Sequence, residues 1–373
     1  MKIPQFDLTR QYACLEPEIE TALRGVLRSG RFILGPEGEA FEAECAEYLG
    51  VSHAIGVASG SDALKLLLDV LDIGPEAEVV TPAFSFVASA TAALQVGARP
   101  VFVDVEPATL TLDPDRVAVA MTPRTRAILA VHLYGAPAAM GALRAVADDQ
   151  GVPLLEDAAQ AIGATLGGRH VGGHGLAAAF SFYPTKNLGA YGDAGLVTTT
   201  DAGLAAELRL ARNHGETQKY SHGKLGWTGR LDELQAAILR VKLRHLPEWT
   251  RARQALAARY SAGLADLPLV LPAERPGATH VFHQYTIRTP RRDALAKHLA
   301  AAGIGTACHY PVPIPAQPLF SQLGYDATAF PAAWAASREV LSLPCFPELR
   351  PDEVDQVIGA VRAFVEGDPE CAS

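Results

Sequence analysis

In FSFYPTKNLGAYGDAG, residues 180–195, a single lysine, Lys186, stands between an apolar run and a glycine-rich tail. An amine there can be a solvated charge, a phosphate clamp or a nucleophile, and its partners decide which. Asp157 closes another apolar run, LLEDAAQ, where a carboxylate is costly to bury without a cation or hydrogen-bond donors; the bland alternative is a cap or turn residue. SGSDAL, residues 59–64, reads first as a capped helix start. The same geometry, with Gly60 allowing close approach to backbone N–H groups, also makes a phosphate site. An amine held in an apolar, water-poor site has a lowered pKa and can form a Schiff base. Each feature alone is weak, and the pairing of Lys186 with Asp157 carries the weight.

These residues need elements to position them. From residue 50 to about 200, the runs AEVVTPA, RPVFVDV, RAILAVHLYG, VPLLEDAAQ, AAAFSFY and AGLVTTT read as strands. Between the earlier ones lie Ala-rich helical stretches that end in glycine, SFVASATAALQVG and APAAMGALRAVADDQG. Strand and helix in alternation predict an α/β fold, a mostly parallel sheet covered on both faces, with ligands at the carboxyl ends of the strands. Asp157 and Lys186 are each expected at such an end. From Leu231 the apolar spacing turns helical over LDELQAAILRVKLRHL, and Pro247 kinks or restarts the pattern. Beyond it come a strand candidate, HVFHQYTI, a helix, RRDALAKHLAAAG, the loop HYPVPIPAQP and a last helix, PDEVDQVIGAVRAFVE. The expected division is a large unit over residues 1–250 and a smaller α+β unit over 251–373.

Of the 373 residues, 49% are hydrophobic and 20% charged, so a sizeable core can form. A net charge of −9 argues against nucleic acid or an anionic membrane as partner. The five cysteines, Cys14, Cys45, Cys308, Cys345 and Cys371, are odd in number and lack C-x-x-C spacing, which disfavours a disulfide framework and a zinc site and fits the reducing cytoplasm. No targeting segment is read at the start and no uninterrupted run of 18 apolar residues occurs. No metal is expected, since no histidine pair at i, i+4 stands with a carboxylate. His280, His283 and His298 read as structural, and GGRHVGGHG as a flexible turn.

The chain resembles the DegT/DnrJ/EryC1/StrS sugar aminotransferases, which use pyridoxal 5′-phosphate (PLP) on the type I aminotransferase fold. SGRFILGPE, SGSDAL, PVFVDV, VHLYG, EDAAQ, SFYPTKNLG with GDAG, RLDELQAAILRVKLRHL and HYPVPI carry the resemblance over nearly the whole length. It implies that Lys186 forms the Schiff base, Asp157 pairs with the pyridine nitrogen, Gln160 contacts the ring or its phenolic oxygen, and Phe86 stacks on it. Gly60, Ser61 and Ser181 would cradle the phosphate, and Asp157 would keep the ring an electron sink. Tyr183, Lys219, Tyr220, His309 and Tyr310 fall in segments expected near substrate. The implied substrates are L-glutamate and a nucleotide-linked keto sugar, most like dTDP-3-keto-6-deoxyhexose; C-4 amination, a UDP-linked 3-keto hexose, a cyclitol ketone and a PLP-binding regulator are the rivals. A homodimer with shared sites is implied too. Where the family offers an asparagine to the phosphate of the partner's cofactor, GWTGRLDELQ has Thr228, so Thr228 or backbone near Gly229 is expected to replace that contact. Ile162 and Leu176 also depart from the family pattern, where histidine and aspartate are frequent.

Overall fold

The computed structural model describes residues 2–367, and Cys371 lies outside them. Seven strands form one sheet in the spatial order His53–Val57, Gly195–Thr199, Ala177–Ser181, Leu154–Asp157, Thr125–Val131, Glu78–Pro82 and Arg99–Val103. All neighbours run parallel except Gly195–Thr199, which is antiparallel to the strand on each side. The mostly parallel α/β sheet is therefore as expected, and all six expected runs are strands. His53–Val57 is an addition, a short HAIGV run that the strand reading passed over. Helices on both faces leave strands such as Glu78–Pro82 buried along their whole length, the condition under which an unbroken apolar run is stable.

The helix Gly60–Val70 starts where Ser59 accepts the Asp62 N–H at 3.0 Å, the capping that SGSDAL foretells. Met140–Gln150 ends at Gly151, whose φ of 63° closes the last turn without a Cβ penalty. The helical pattern from Leu231 resolves into Glu233–Leu243 and Leu246–Leu264. Pro247 lies in the first turn of the second helix, where its missing N–H costs nothing, so it restarts the pattern. Glu233 is buried and accepts the N–H groups of Gly35, Glu37 and Gly38 at 3.0, 2.8 and 2.9 Å. It caps the helix Pro36–Leu49, joining two stretches nearly 200 residues apart.

A separate apolar cluster gathers Leu256, Tyr260, Leu264, Tyr285, Leu295 and Val361, with Ile3 from the N-terminal end. On that basis we propose the division into 1–250 and 251–373, with the helix Leu246–Leu264 running through the junction. Only the last three residues of HVFHQYTI are strand, in Tyr285–Arg288, which pairs with Val340–Leu343. The preceding backbone turns to the large unit instead: Val281 N–H donates to the Gly135 carbonyl at 3.1 Å and Gln284 N–H to Tyr134 at 3.3 Å, with Phe282 at φ 44°. Among the described residues no helix is long and apolar enough to cross a membrane, and no cluster of three or more metal-ligating side chains occurs.

Candidate active site

The carboxyl ends of Leu154–Asp157 and Ala177–Ser181 lie side by side. Asp157 closes its strand, but Lys186 does not; Ser181 does, and Lys186 sits in the turn that follows. The turn is drawn back on itself by Lys186 N–H to the Tyr183 carbonyl and Ala190 N–H to the Phe182 carbonyl, both 2.8 Å. The Lys186 side chain is half-buried and makes no hydrogen bond or ion pair among the described residues. Burial pushes its amine down to about 8, with Asp157 acting in the opposite sense. An ordinary lysine is almost wholly charged at that pH, whereas about half of such amines are neutral.

Asp157 is buried; its Oδ2 accepts the Ser89 hydroxyl at 2.7 Å and its Oδ1 the Ala159 N–H at 3.1 Å. A carboxylate has room for about four hydrogen bonds, so these two fix its orientation and leave capacity for another donor. Gln160 bridges the site: its Oε1 accepts the Tyr134 N–H at 2.6 Å and its Nε2 donates to the Tyr310 hydroxyl at 3.1 Å. The Tyr310 ring lies 6.0 Å from that of Phe86, which is 52% exposed and so offers an open face. His309 adjoins it, its Nδ1 2.9 Å from the Ser342 hydroxyl; burial, with the Lys186 charge second, pushes its imidazole down to about 4.

Gly60 meets Ser181 across the sheet. A Cβ on Gly60 would stand 2.6 Å from the Ser181 Cβ, so only glycine lets the first turn of Gly60–Val70 approach that strand. The Gly60 and Ser61 N–H groups, orphaned at a helix start, and the Ser181 hydroxyl thus share one small space. Lys186, Asp157, Gln160, Phe86, His309, Tyr310, Gly60, Ser61 and Ser181 are brought together, and Tyr183 lies beside them, 53% exposed. Lys219 and Tyr220 are not. They form the tip between the strands Glu216–Gln218 and Ser221–His222, the Lys219 amine lying 5.3 Å over the Tyr220 ring. The Thr228 hydroxyl lies 2.8 Å from His214 Nε2, and the next residue, Gly229, accepts the Ala58 N–H at 3.1 Å just before the start of Gly60–Val70.

Five residues escaped the sequence reading of the site. Ser89 orients Asp157, and its signal was the serine pair Ser85 and Ser89 at i, i+4. Asn187 donates to the Val281 carbonyl at 3.0 Å, so its oxygen is left to accept His283 Nδ1–H at 3.1 Å. His283 is thereby held as a neutral tautomer within reach of the Lys186 charge; burial first, then that charge, hold it well below the usual imidazole range. Nothing in the sequence marks it. Glu156 accepts the N–H groups of Gly172, His174 and Gly175 at 2.8, 2.8 and 2.6 Å. GGRHVGGHG is therefore an ordered clasp on Glu156, contrary to the expected flexible turn. His132 completes it: Nδ1 accepts the Ala138 N–H at 3.0 Å, so Nε2 carries the proton toward Glu156 at 2.9 Å.

The DegT/DnrJ/EryC1/StrS aminotransferase family profile matches residues 13–362. The chain belongs to this family. It is 50% identical over 366 residues to the dTDP-3-amino-3,4,6-trideoxy-alpha-D-glucose transaminase of Streptomyces venezuelae, covering 98% of this chain and 97% of that one. It is 48% identical to a pleiotropic regulatory protein of Geobacillus stearothermophilus, over 98% and 99% of the two chains. The crystal structure of S. venezuelae DesV in complex with a ketimine intermediate superposes with a TM-score of 0.96 at 50% identity, covering 98% of this chain and 99% of that one. Aminotransferases of this family use PLP. The residues present fit that group, because an oriented carboxylate at one strand end stands with a partnerless amine in the turn after the adjoining strand and a cradle that a Cβ would fill.

Proposed function

We propose that this chain transfers the amino group of L-glutamate to a nucleotide-linked keto sugar, the acceptor being a dTDP-3-keto-6-deoxyhexose, as a cytoplasmic homodimer. The observation that carries the reading is the half-buried, partnerless Lys186 amine at lowered pKa beside Asp157. Lys186 would hold PLP covalently, Asp157 would meet its ring nitrogen, Gln160 its phenolic oxygen and Phe86 its ring face. Gly60, Ser61 and Ser181 would take its phosphate. When bound, PLP supplies an electron sink for the carbon that carries the amine. Lys186 Nζ, neutral in about half of molecules near pH 8, would take a proton from that carbon and deliver one on the cofactor side, the transfer that moving an amino group requires. Asp157, fixed by Ser89, keeps its negative charge aimed at one place throughout. Tyr183, His309 and Tyr310 line the approach for substrate, and the neutral His309 leaves the site without a competing cation.

The dTDP acceptor is supported by the S. venezuelae transaminase at 50% identity, and a PLP-binding regulator without turnover by the Geobacillus protein at 48%. A panel of dTDP- and UDP-linked 3-keto and 4-keto sugars, offered with glutamate and read by mass spectrometry of the product, tests both. Amination of a dTDP-linked 3-keto sugar is the expected result; binding without amination of any sugar would favour the regulator.

The tip at Lys219 and Tyr220, where Tyr220 is 84% exposed, supports sites completed by a second copy. Gly229 donates its N–H to the Arg212 carbonyl at 2.9 Å, which favours the Thr228 side chain over the Gly229 N–H as the replacement for the family asparagine. The Thr228 hydroxyl is committed to His214. Thr228→Asn is therefore expected to tighten PLP by about 1 kcal/mol, the net worth of one hydrogen bond. PLP dissociation from the dialysed protein measures this, and an unchanged rate would show that the phosphate lacks nothing.

A further inference from the structure

Lys242 is fully buried on the helix Glu233–Leu243. A buried ammonium is expensive to desolvate and is ordinarily paired with a carboxylate. Among the described residues Lys242 has no such bond. Its Nζ donates to the Gly189 carbonyl at 2.7 Å and lies 4.0 Å over the Tyr191 ring. From the same helix, Gln235 Oε1 accepts the Tyr191 N–H at 2.9 Å. Two side chains of one helix thus grip residues 189–191, which begin three positions after Lys186. The turn has little slack on its other side, because a Cβ on Gly189 would collide with the Pro184 carbonyl.

We propose that Lys242 is a positioning residue, whose bond to the Gly189 carbonyl holds the turn 184–189 in the conformation that presents the Lys186 amine. The inference rests on the reading of Lys186 as the reactive amine. Burial pushes the Lys242 amine down to about 7, with Glu348 opposing. Either protonation state keeps an N–H for Gly189, so the hold persists across neutrality. A residue that merely filled the core would be replaced without loss by methionine, which has similar length and no polar atom to satisfy.

The test compares wild type, Lys242→Met and Lys242→Arg as apoproteins. Trace acetylation across a pH series, read by peptide mass spectrometry, reports the titration of Lys186, and hydrogen exchange reports the amides of 186–190. In Lys242→Met the acetylation midpoint of Lys186 is expected to leave about 8 and exchange at 186–190 to rise about tenfold, with the melting temperature held. Arginine restores slow exchange. A wild-type midpoint and exchange in Lys242→Met would overturn the proposal, as would a rise in exchange spread evenly over the chain. If Lys242→Met does not fold, Lys242→Gln, which keeps an N–H on a shorter stem, carries the same comparison. Turnover by Lys186→Ala would instead sink the underlying reading and leave the Lys242 measurements intact, so the two failures are distinguishable.

Discussion

Lys186→Ala lowers turnover by at least about 10³-fold while leaving PLP bound noncovalently, because a positioned general acid–base alone contributes about 10²–10⁴. The cradle at Gly60, Ser61 and Ser181 and the carboxylate of Asp157 do not depend on the amine, so cofactor retention and loss of turnover separate cleanly. Borohydride reduction of wild-type protein loaded with PLP, followed by peptide mapping, is expected to label the peptide containing Lys186. A label on Lys65, Lys219 or Lys224 instead would remove Lys186 from its role. The amine also has a signature of its own in the apoprotein. Burial brings it to about 8, so its acetylation rate rises through that pH, whereas a solvated lysine rises near 10.4. A midpoint at the solvated value would show that water reaches the amine and that the turn is not closed around it.

Asp157→Asn is the second large effect, expected to cost about 10²–10³ in turnover, the range for removing one preorganised electrostatic partner. The substitution preserves the local bonds: the Asn oxygen can accept the Ala159 N–H, and its Nδ2 can donate to the Ser89 hydroxyl, which serves as donor or acceptor. Folding is therefore kept and only charge is lost. The sign at Lys186 follows, because Asp157 raises the amine pKa against desolvation. Without that charge, the acetylation midpoint in the apoprotein falls further below about 8. Turnover within fivefold of wild type, together with an unmoved midpoint, would mean that the carboxylate does not face the amine. Ser89→Ala serves as control, since it frees one carboxylate oxygen without touching the charge.

Local chemistry was legible wherever a residue type and its neighbours suffice. Asp157 at the end of LLEDAAQ, the capped start at SGSDAL and all six strand runs follow from apolar patterning and turn chemistry, which act over a few residues. The family membership was legible too, because its motifs recur in one order along nearly the whole chain. What the sequence could not determine are contacts between distant segments. Burial lowers the Lys186 pKa, and the segment around it is packed through Asn187 with His283 and Lys242 with Gly189, pairs separated by 96 and 53 positions. A histidine in HVFHQYTI and a lysine in a helical run carry no mark that they will be buried. The glycine-rich GGRHVGGHG looked mobile because glycine loosens a free chain, yet three of its N–H groups converge on Glu156, and a buried carboxylate orders whatever satisfies it. The position of Lys186 beyond the strand, and not at its end, has the same origin. Pattern reading sees where apolar residues stop, whereas the fold decides where an amine comes to rest.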